Sequence, residues 1–283
     1  MRFGIVTPSF RNSAWLRLCV ASVADQGVDV EHIVQDAGSD DGTLDWLTRD
    51  PRVLAFVEKD SGMYDAINRG LRRTTGDVLA YLNCDEQYLP GALAAVGRIF
   101  EERPDIEVLF AGAVVVDAGG RYLCHRMPLV PLKHHSLVSG NLSFLTCATF
   151  FRRPIIGSRG LFFDETFRVA GDAAWVVRLI DAGVRMAAVP TLTSAFTDAG
   201  GNLGLGPGAA TEAARLRATA PAWARTAPWL SVAHHRLRRL LAGHYGRLAP
   251  FSYSIYCRDR PERRSLFHVD RPTFRWTRRP TLP

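Results

Sequence analysis

Two acidic residues, Asp85 and Glu86, closely follow an apolar run that ends at Leu82. Adjacent carboxylates repel each other unless a cation or hydrogen-bond donors compensate their charges. Carboxylate oxygens are also the ligands that hard divalent cations such as Mg²⁺ and Mn²⁺ prefer. The segment Asn83-Cys84-Asp85-Glu86 therefore predicts either a divalent-cation site or an ordinary acidic turn after a strand.

The two common glycine-rich phosphate-binding motifs are absent from the sequence. Neither the P-loop pattern GxxxxGKS/T nor the dinucleotide fingerprint GxGxxG occurs anywhere in the chain. The sequence thus gives no support for a P-loop nucleotidase or a dinucleotide-binding enzyme. A diphosphate ligand would instead need a metal ion that bridges its oxygens, and the carboxylates at 85 and 86 could hold such an ion.

Short apolar runs alternate with helical patterns in the first half of the chain, which is typical of βαβ units that build a parallel sheet. We predict strands at 3–7, 32–34, 54–57 and 78–82, and helices at 14–24 and 172–183. Another helix is predicted to begin at a Ser61 cap and to end at Gly76. Residues 104–151 show a more irregular pattern.

Each predicted strand is followed by a polar or glycine-rich loop. These loops cover Thr7-Pro8-Ser9 and residues 36–42, 59–62 and 83–86. In open α/β sheets, ligands bind at the carboxyl ends of the strands. The four loops are therefore expected to converge on one pocket.

Composition narrows the class of protein. The 283 residues are 47% hydrophobic, which is enough for a full core, and no apolar stretch reaches the roughly 20 residues of a membrane-spanning helix. The five cysteines are far apart and include no CxxC pair, so we expect reduced thiols. With no signal-peptide pattern at the N-terminus, a soluble cytoplasmic protein is predicted.

The positive charge is concentrated at the C-terminal end. Residues 1–199 contain 20 Lys and Arg and 24 Asp and Glu, a net charge of −4, whereas residues 200–283 contain 15 and 4, a net charge of +11. This asymmetry indicates an anionic partner, either a membrane surface, a phosphorylated substrate or a nucleic acid, or else a solvated Arg-rich face.

The glycine-rich stretch at 200–208 is the clearest linker candidate. We therefore place a boundary between a domain at 1–205 and a basic, partly helical extension at 206–283. Within the extension, residues 229–245 predict an amphipathic helix with leucines on one side and Arg236, Arg238 and Arg239 on another. It would either attach to an anionic membrane or pack its leucines on the first domain or on a second subunit, which would give a homodimer.

Four ordered segments resemble the family 2 glycosyltransferases of the GT-A fold. They are FGIVTPSFRNSAWL, IVQDAGSDDGT, EKDSGMYDAINRGLRRTTGDVLAYLNCDE and VAGDAAWVVRLIDAG, which together span roughly the first 200 residues. The resemblance implies an α/β fold with a mostly parallel, Rossmann-like central sheet flanked by helices. It also implies a nucleotide-sugar donor, with UDP favoured, and inversion at the anomeric carbon. Residues 1–105 would then bind the donor and 106–205 the acceptor.

The resemblance assigns residues to the donor side. It puts Pro8 and Ser9 beside the nucleoside and makes Asp36 an acceptor for a base N–H, although Asp36 also suits a turn, as the following residues 39–42 do. Tyr64 also suits a plain core position. The full donor-binding set is Thr7, Pro8, Ser9, Asp36, Lys59, Asp60, Gly62, Tyr64, Asp65, Asn68, Asn83, Cys84 and Asp85.

The metal ligands implied by the resemblance are Asp85 and Glu86, with Mn²⁺ or Mg²⁺ as the cofactor. Relatives usually have aspartate at the last position, and glutamate is longer by one methylene. Octahedral metal sites tolerate displaced ligands poorly. The glutamate at position 86 therefore leaves it open whether the enzyme requires a metal, but it does not affect the predicted fold.

Asp172 resembles the general base of the family, which takes the proton from the acceptor hydroxyl. Its position after Gly171 also suits a helix cap. Asp164-Glu165 are expected to be structural, and Arg152-Arg153 either meet the diphosphate or are solvated. His134-His135 and His234-His235 lack further ligands at metal spacing. Asn202 falls where relatives have a mobile loop over the donor.

Two other functions remain open from the sequence, a sugar nucleotidylyltransferase and a non-catalytic binding protein with this fold. The nucleotidylyltransferase would need a glycine- and arginine-rich loop at 7–11, which is missing. The non-catalytic alternative is supported only by Glu86, where relatives usually have aspartate. A processive synthase is disfavoured because Trp276 lacks the QxxRW context. We expect a carbohydrate or lipid-linked acceptor in bacterial polysaccharide, glycolipid or glycoconjugate synthesis, a location on the inner face of the plasma membrane, and no nucleic-acid partner.

Overall fold

The computed structural model describes residues 1–138, 143–199, 207–246 and 248–276. Within these residues, nine strands form one sheet in the spatial order 54–57, 30–36, 3–9, 78–81, 149–152, 108–117, 186–198 and 86–88, with the strand at 122–126 also paired to that at 108–117. Helices flank the sheet, so the predicted α/β class is confirmed. The predicted boundary at 205/206 and Asn202 both lie outside the described residues.

The first half of the chain forms the parallel part of the sheet. Its elements are β1 (Phe3–Ser9), α1 (Ser13–Ala24), β2 (Val30–Asp36), α2 (Thr43–Leu47), β3 (Leu54–Val57), α3 (Met63–Arg73) and β4 (Val78–Tyr81). β1 pairs in parallel with β2 and β4, and β2 pairs in parallel with β3. Because all four strands run in the same direction, their carboxyl ends share one edge of the sheet, as the sequence predicted.

The ends of α3 differ from the prediction. Its N-cap is Gly62, with φ 135°, and the Ser61 hydroxyl instead donates to Asp65 Oδ2 at 3.1 Å. The helix ends at Arg73, before Gly76. A Cβ on Gly76 would lie 2.3 Å from the backbone nitrogen of Gly4, so glycine allows close chain packing at this position and does not end the helix.

The region from 104 to 151, expected to be irregular, contains regular structure. The second half of the domain comprises β5 (Glu86–Tyr88), α4 (Ala92–Glu102), β6 (Val108–Asp117), β7 (Tyr122–Arg126), α5 (Lys133–Val138), β8 (Thr149–Arg152), α6 (Gly171–Asp181) and β9 (Met186–Asp198). β6 pairs in parallel with β9 and antiparallel with β7 and β8. Its continuous apolar sequence fits a strand that is buried on both faces.

Arg152 and Arg153 lie far from the carboxyl ends of the parallel strands. Arg152 pairs with Val78 at the start of β4 and donates to the carbonyls of Ile106 and Phe100 at 2.8 and 2.7 Å. Arg153 donates to the carbonyl of Gly76 at 3.0 Å and to that of Thr74. Both side chains therefore bind backbone oxygens away from the strand ends, so the predicted diphosphate role is wrong, whereas Arg153 is exposed to solvent as the alternative expected.

The C-terminal part is helical at first and ends in a hairpin that the sequence did not predict. It contains α7 (Pro207–Ala218), α8 (Ala222–Thr226), α9 (Pro228–Leu241), β10 (Phe251–Cys257) and β11 (Arg260–Val269). The hairpin packs Tyr253 and Ile255 against Val114 and Val116 of β6. Residues on both sides of the predicted boundary therefore share one hydrophobic cluster. None of the described helices is both long enough and apolar enough to cross a bilayer.

Candidate active site

A cavity of about 1130 Å³ opens at the carboxyl ends of β1 and β4. Predicted site residues from three of the four family-like segments meet in its wall, where they lie beside side chains that the sequence had not indicated. The predicted residues that line it are Pro8, Ser9, Lys59, Asp60, Gly62, Tyr64, Asn83, Cys84, Asp85, Glu86 and Asp172. The strand-end loops at 7–9, 59–62 and 83–86 therefore converge on one pocket as expected, and the loop at 36–42 reaches it through Ala37.

Thr7 and Asp36 do not line the cavity. The Thr7 hydroxyl is buried and lies 2.9 Å from His32 Nε2. The buried Asp36 carboxylate accepts four hydrogen bonds, from the Ser9 and Ser39 hydroxyls and from the backbone N–H groups of Gly38 and Ser39, at 2.7–2.9 Å. Asp36 therefore organises the loop that follows β2 and fixes the hydroxyl of Ser9.

Asp65 and Asn68 face the protein and not the cavity. Although burial raises the pKa of Asp65, hydrogen bonds from Arg69 and Ser61 outweigh it and hold that pKa below its ordinary value. Asn68 Nδ2 donates to the carbonyl of Phe163, and its Oδ1 accepts from the N–H of the same residue, at 2.9 and 3.0 Å. Asp65 and Asn68, which matched the family motif on α3, thus hold the loop at 59–62 and the strip that precedes α6.

The expected structural pair Asp164-Glu165 lies in that strip. Asp164 accepts from the backbone N–H and the hydroxyl of Thr166 at 2.9 and 2.7 Å, which forms a local turn. Glu165 Oε1 accepts from Asn68 at 2.8 Å. Both carboxylates therefore have structural partners.

The acidic pair at the end of β4 has no compensating cation among the described residues. Glu86 Oε2 accepts from the backbone N–H of Asn83 at 2.8 Å, but Glu86 Oε1 is buried and has no partner within the described part of the chain. Burial raises the pKa of both carboxyls, and the charge of Asp85 raises that of Glu86 further. A buried carboxylate oxygen that is unsatisfied and faces like charge is the arrangement that a divalent cation would stabilise.

Tyr64 joins α3 to the start of α6. Its hydroxyl donates to the carbonyl of Val169 at 3.1 Å and accepts from the backbone N–H of Asp172 at 3.2 Å. A Cβ on Gly171 would lie 2.5 Å from the Tyr64 ring, so glycine at 171 allows the ring to pack against the helix start. The ring of Tyr64 is therefore buried as a plain core residue would be, but its hydroxyl forms two hydrogen bonds that a core position does not explain.

Asp172 faces the cavity from the first turn of α6. Burial raises the pKa of its carboxyl to about 6. The Asp172 Oδ1 atom accepts from the backbone N–H of Ala173 at 2.7 Å, whereas the N-cap of α6 is Ala170. Asp172 is therefore not the helix cap, and its raised pKa suits a group that accepts a proton near neutral pH.

Glu212 on α7 binds the strip that leads into α6. Its two oxygens accept from the backbone N–H groups of Arg168, Val169 and Ala170 at 2.7, 2.9 and 2.8 Å. Burial raises the pKa of Glu212, but these three donors outweigh that effect and hold it below its ordinary value. The C-terminal part of the chain thus fixes the position from which Asp172 projects.

Three cationic side chains line the same cavity, namely Lys59, Arg126 and Arg168. None of them forms an ion pair with a described residue. Burial lowers the pKa of Arg126, and the charge of Arg239 lowers it further. Exposed Arg168 lies over Gly62, where a Cβ would lie 2.2 Å from its Nη1 atom. These cations would attract an anionic ligand such as a diphosphate.

Sequence reasoning missed four residues of this site: Arg126, Arg168, Glu212 and Trp276. The indole N–H of Trp276 donates to Asp198 Oδ2 at 2.8 Å, which brings the C-terminal segment to the cavity wall. Arg168 lies four residues before Asp172 and could have been noticed from that spacing. Arg126, Glu212 and Trp276 reach the site only through tertiary contacts, so no local sequence pattern around them indicated a role.

The two histidine pairs, treated separately in the sequence, come together between α5 and α9. His134 Nε2 lies 3.2 Å from His234 Nδ1, and the rings of His135 and His235 are 5.3 Å apart. Possible ligand atoms of His134, His135 and His234 lie within 4.8 Å of one another. The sequence therefore missed a cluster that the tertiary fold forms.

Comparison with known proteins gives consistent matches. The family model described as "Glycosyl transferase family 2" matches residues 4–159. A PGL/p-HBAD biosynthesis glycosyltransferase of Mycobacterium bovis is 28% identical over 187 residues, which cover 62% of this chain and 68% of that protein.

Solved structures with a similar fold share little sequence. Truncated S. aureus TarS (1–349) with UDP-GlcNAc aligns with a TM-score of 0.61 and 16% identity over 85% of this chain and 73% of that one. The mannosyltransferase PcManGT of Pyrobaculum calidifontis, with GDP-Man and Mn²⁺, aligns with a TM-score of 0.54 and 16% identity over 86% and 79%. The present chain spans 44% of the longer TarS chain.

Proposed function

The chain belongs to glycosyl transferase family 2, and from that premise we propose that it moves a sugar from a nucleotide-diphosphate sugar to an acceptor hydroxyl. We favour a UDP-sugar as the donor and inversion at the anomeric carbon. The observation that carries the proposal is the shared cavity, where Asp172 and the Asp85-Glu86 pair meet from distant segments.

Asp172 is the proposed general base. Its carboxylate takes the proton of the acceptor hydroxyl while the hydroxyl oxygen forms a bond to the anomeric carbon of the donor. The bond from that carbon to the nucleotide diphosphate breaks on the opposite face, and the diphosphate leaves with the electron pair. The raised pKa of Asp172, about 6, keeps the carboxylate ionised at neutral pH but basic enough to accept the proton.

A divalent cation fits the pair Asp85 and Glu86 because Glu86 Oε1 is buried with no partner among the described residues. The pair offers hard oxygen ligands and lacks a compensating positive charge. When bound, Mn²⁺ or Mg²⁺ would stabilise the negative charge that develops on the diphosphate. PcManGT binds Mn²⁺ together with GDP-Man, which supports a metal of this kind here.

The donor diphosphate is proposed to meet Lys59, Arg126 and Arg168. These cations lie in the same cavity as the acidic pair, so the site offers positive charge to the phosphates and negative charge to a metal and to the acceptor proton. TarS binds UDP-GlcNAc, which supports a UDP-sugar of the hexose or N-acetylhexosamine type. Pro8 and Ser9 remain the predicted contacts to the nucleoside.

The acceptor is proposed to be a carbohydrate or a lipid-linked sugar of a bacterial polysaccharide, glycolipid or glycoconjugate. The relative from M. bovis is named as a PGL/p-HBAD biosynthesis glycosyltransferase, which supports a biosynthetic role for this chain. Such an acceptor would place the enzyme in the cytoplasm, at the inner face of the plasma membrane. Both statements remain predictions.

The proposal is tested by measuring UDP and GDP release from a panel of nucleotide sugars, with and without Mn²⁺. We expect release from one UDP-sugar to depend on Mn²⁺ and to rise when an acceptor glycan is added. Asp172→Asn should abolish that rise and keep donor binding, which is read by thermal shift. Donor binding without any transfer across a broad acceptor panel would support the non-catalytic alternative, and failure to bind any nucleotide sugar would overturn the proposal.

A further inference from the structure

Helix α9 presents an apolar face to solvent. Trp229, Leu237, Leu240 and Leu241 recur at helical spacing, and their side chains are 67%, 51%, 59% and 78% exposed. Trp223 on α8 and Leu230 add to the same region. More than half of the exposed large hydrophobic side chains among the described residues belong to this face, which we call the α8–α9 face.

The polar side of α9 faces the protein. Ser231 and His235 are buried, and Arg238 donates to the carbonyl of Val130 at 2.8 Å. The guanidinium of Arg239 lies 5.4 Å from the Tyr245 ring centroid. The alternative that α9 packs its leucines on the first domain is therefore wrong, because the helix is inverted relative to an ordinary surface helix.

An inverted helix needs an apolar partner outside the described part of the chain. Exposing so many adjacent indole and leucine side chains to water costs free energy. Large contiguous apolar patches on a protein surface therefore indicate interaction sites. His134 packs on the Trp223 ring at the edge of this face, with ring centroids 5.3 Å apart, whereas the exposed leucines of α9 have no covering residue in the described part of the chain. The occupant must therefore match an apolar strip about 21 Å long, from the rise of 14 helical residues.

The charges around this strip favour a lipid surface over a second copy of the chain. Arg225 and Arg236 are exposed beside the strip, and neither forms an ion pair with a described residue. In a symmetric dimer built on this face, these arginines would approach their own counterparts and repel them. On an anionic bilayer the same arginines would meet lipid phosphates.

We propose that the α8–α9 face docks the protein onto an anionic lipid bilayer. α9 lies in the plane of the interface with its leucines in the acyl boundary, Trp223 and Trp229 at the level of the headgroups, and Arg225 and Arg236 on the phosphates. Docking does not require catalysis, so it is tested without turnover and stands or falls independently of the proposed reaction.

The test is sedimentation of the full chain with vesicles of phosphatidylcholine alone or mixed with phosphatidylglycerol. We expect binding to the anionic vesicles that weakens at high salt, and little binding to the neutral ones. Leu237→Ser/Leu241→Ser should lower the bound fraction at least tenfold. Leu266→Ser is the matched control, because Leu266 is 61% exposed on β11, away from this face, and it should bind as the wild type does.

A charge test separates electrostatic attachment from simple stickiness. Arg225→Glu/Arg236→Glu should lower binding to anionic vesicles several-fold, whereas the charge-matched control Arg260→Glu/Arg263→Glu on the hairpin should have a smaller effect. Circular dichroism should show that all variants are folded.

Three outcomes would overturn the proposal. One is equal binding of the leucine variant and the wild type, and another is equal binding to neutral and anionic vesicles. The third is absence of vesicle binding together with a dimer in light scattering that Leu237→Ser/Leu241→Ser dissociates, which would assign the face to a second copy of the chain.

Discussion

Glu212 accepts a hydrogen bond from the backbone N–H of Ala170 at 2.8 Å, although 42 residues separate them. Ala170 is the N-cap of the helix that carries Asp172. Glu212 lies beyond the stretch at 200–208 that the sequence suggested as a linker. The C-terminal part of the chain therefore supports the candidate active site and is not a detached appendage.

Glu212→Gln should shift the pH dependence of transfer. The negative charge of Glu212 adds to burial in raising the pKa of Asp172. Glutamine removes that charge but keeps an acceptor oxygen, so the acidic limb of kcat/KM should move to lower pH. Rate profiles of the two proteins between pH 4.5 and 8 measure the shift, and superimposable limbs would mean that Glu212 acts only by holding the backbone.

The wild-type protein should lose activity as the pH falls through about 6. Burial raises the pKa of Asp172 to about 6, so the proton-accepting form dominates above that pH and disappears below it. Well below this value, kcat/KM should fall about tenfold for each pH unit. A profile that stays flat down to pH 4.5 would contradict the assignment of Asp172 as the base.

Asp172→Asn should lower kcat by about 10² to 10⁴ and leave donor affinity unchanged, because the amide keeps the shape but cannot accept the proton. The matched control is Asp164→Asn, eight residues upstream, whose carboxylate binds Thr166 in a turn. That control should keep most of the wild-type kcat. Isothermal titration with the donor and initial rates with the acceptor give the two quantities, and equal rates for both variants would discard the base.

The sequence was informative where function depends on local pattern. The strand ends placed Ser9, Asp60 and Asp85 in one cavity with Asp172, because parallel strands must share one carboxyl edge. It was less informative about which motif residues touch that cavity. Asp65 matched the family pattern, yet its carboxylate is bound by Arg69 and Ser61.

What the sequence did not reveal depends on contacts between distant segments. β6 pairs with three strands that all follow it in sequence, β7, β8 and β9, and the 251–269 hairpin packs apolar side chains on that strand. Arg126 and Trp276 reach the cavity only because these pairings exist. The inverted face of α9 was equally hidden, since periodicity defines two faces of a helix but not which one meets the protein.

Glu86→Gln should stabilise the metal-free protein and abolish its response to Mn²⁺. Glu86 Oε1 is buried with no described partner and lies beside the Asp85 charge, so a neutral side chain relieves repulsion there at alkaline pH, where both carboxyls are ionised. In wild type, Mn²⁺ at 100 times its Kd should add about 2.7 kcal/mol of stability. Thermal unfolding with EDTA and with Mn²⁺ measures both effects, and an unchanged Mn²⁺ response in the variant would place the metal elsewhere.

Tyr64→Phe should lower both stability and kcat. The Tyr64 hydroxyl bonds the carbonyl of Val169 and the N–H of Asp172, and phenylalanine leaves both groups without that partner. We expect a loss of about 1–3 kcal/mol in the free energy of unfolding by urea. Because the lost bond orients Asp172 itself, kcat should fall several-fold while donor affinity changes little.

Tyr256→Phe is the control for that variant. The Tyr256 hydroxyl on the hairpin donates to Asp25, which follows α1, and this hydrogen bond lies away from the cavity. Loss of this hydrogen bond should lower the free energy of unfolding by less than about 1 kcal/mol and leave kcat unchanged. If Tyr64→Phe behaved like this control, the bond from Asp172 to Tyr64 would have no part in positioning the base. If kcat fell without any loss of stability, the hydroxyl would act on the reaction alone and not on the packing of α3 against α6.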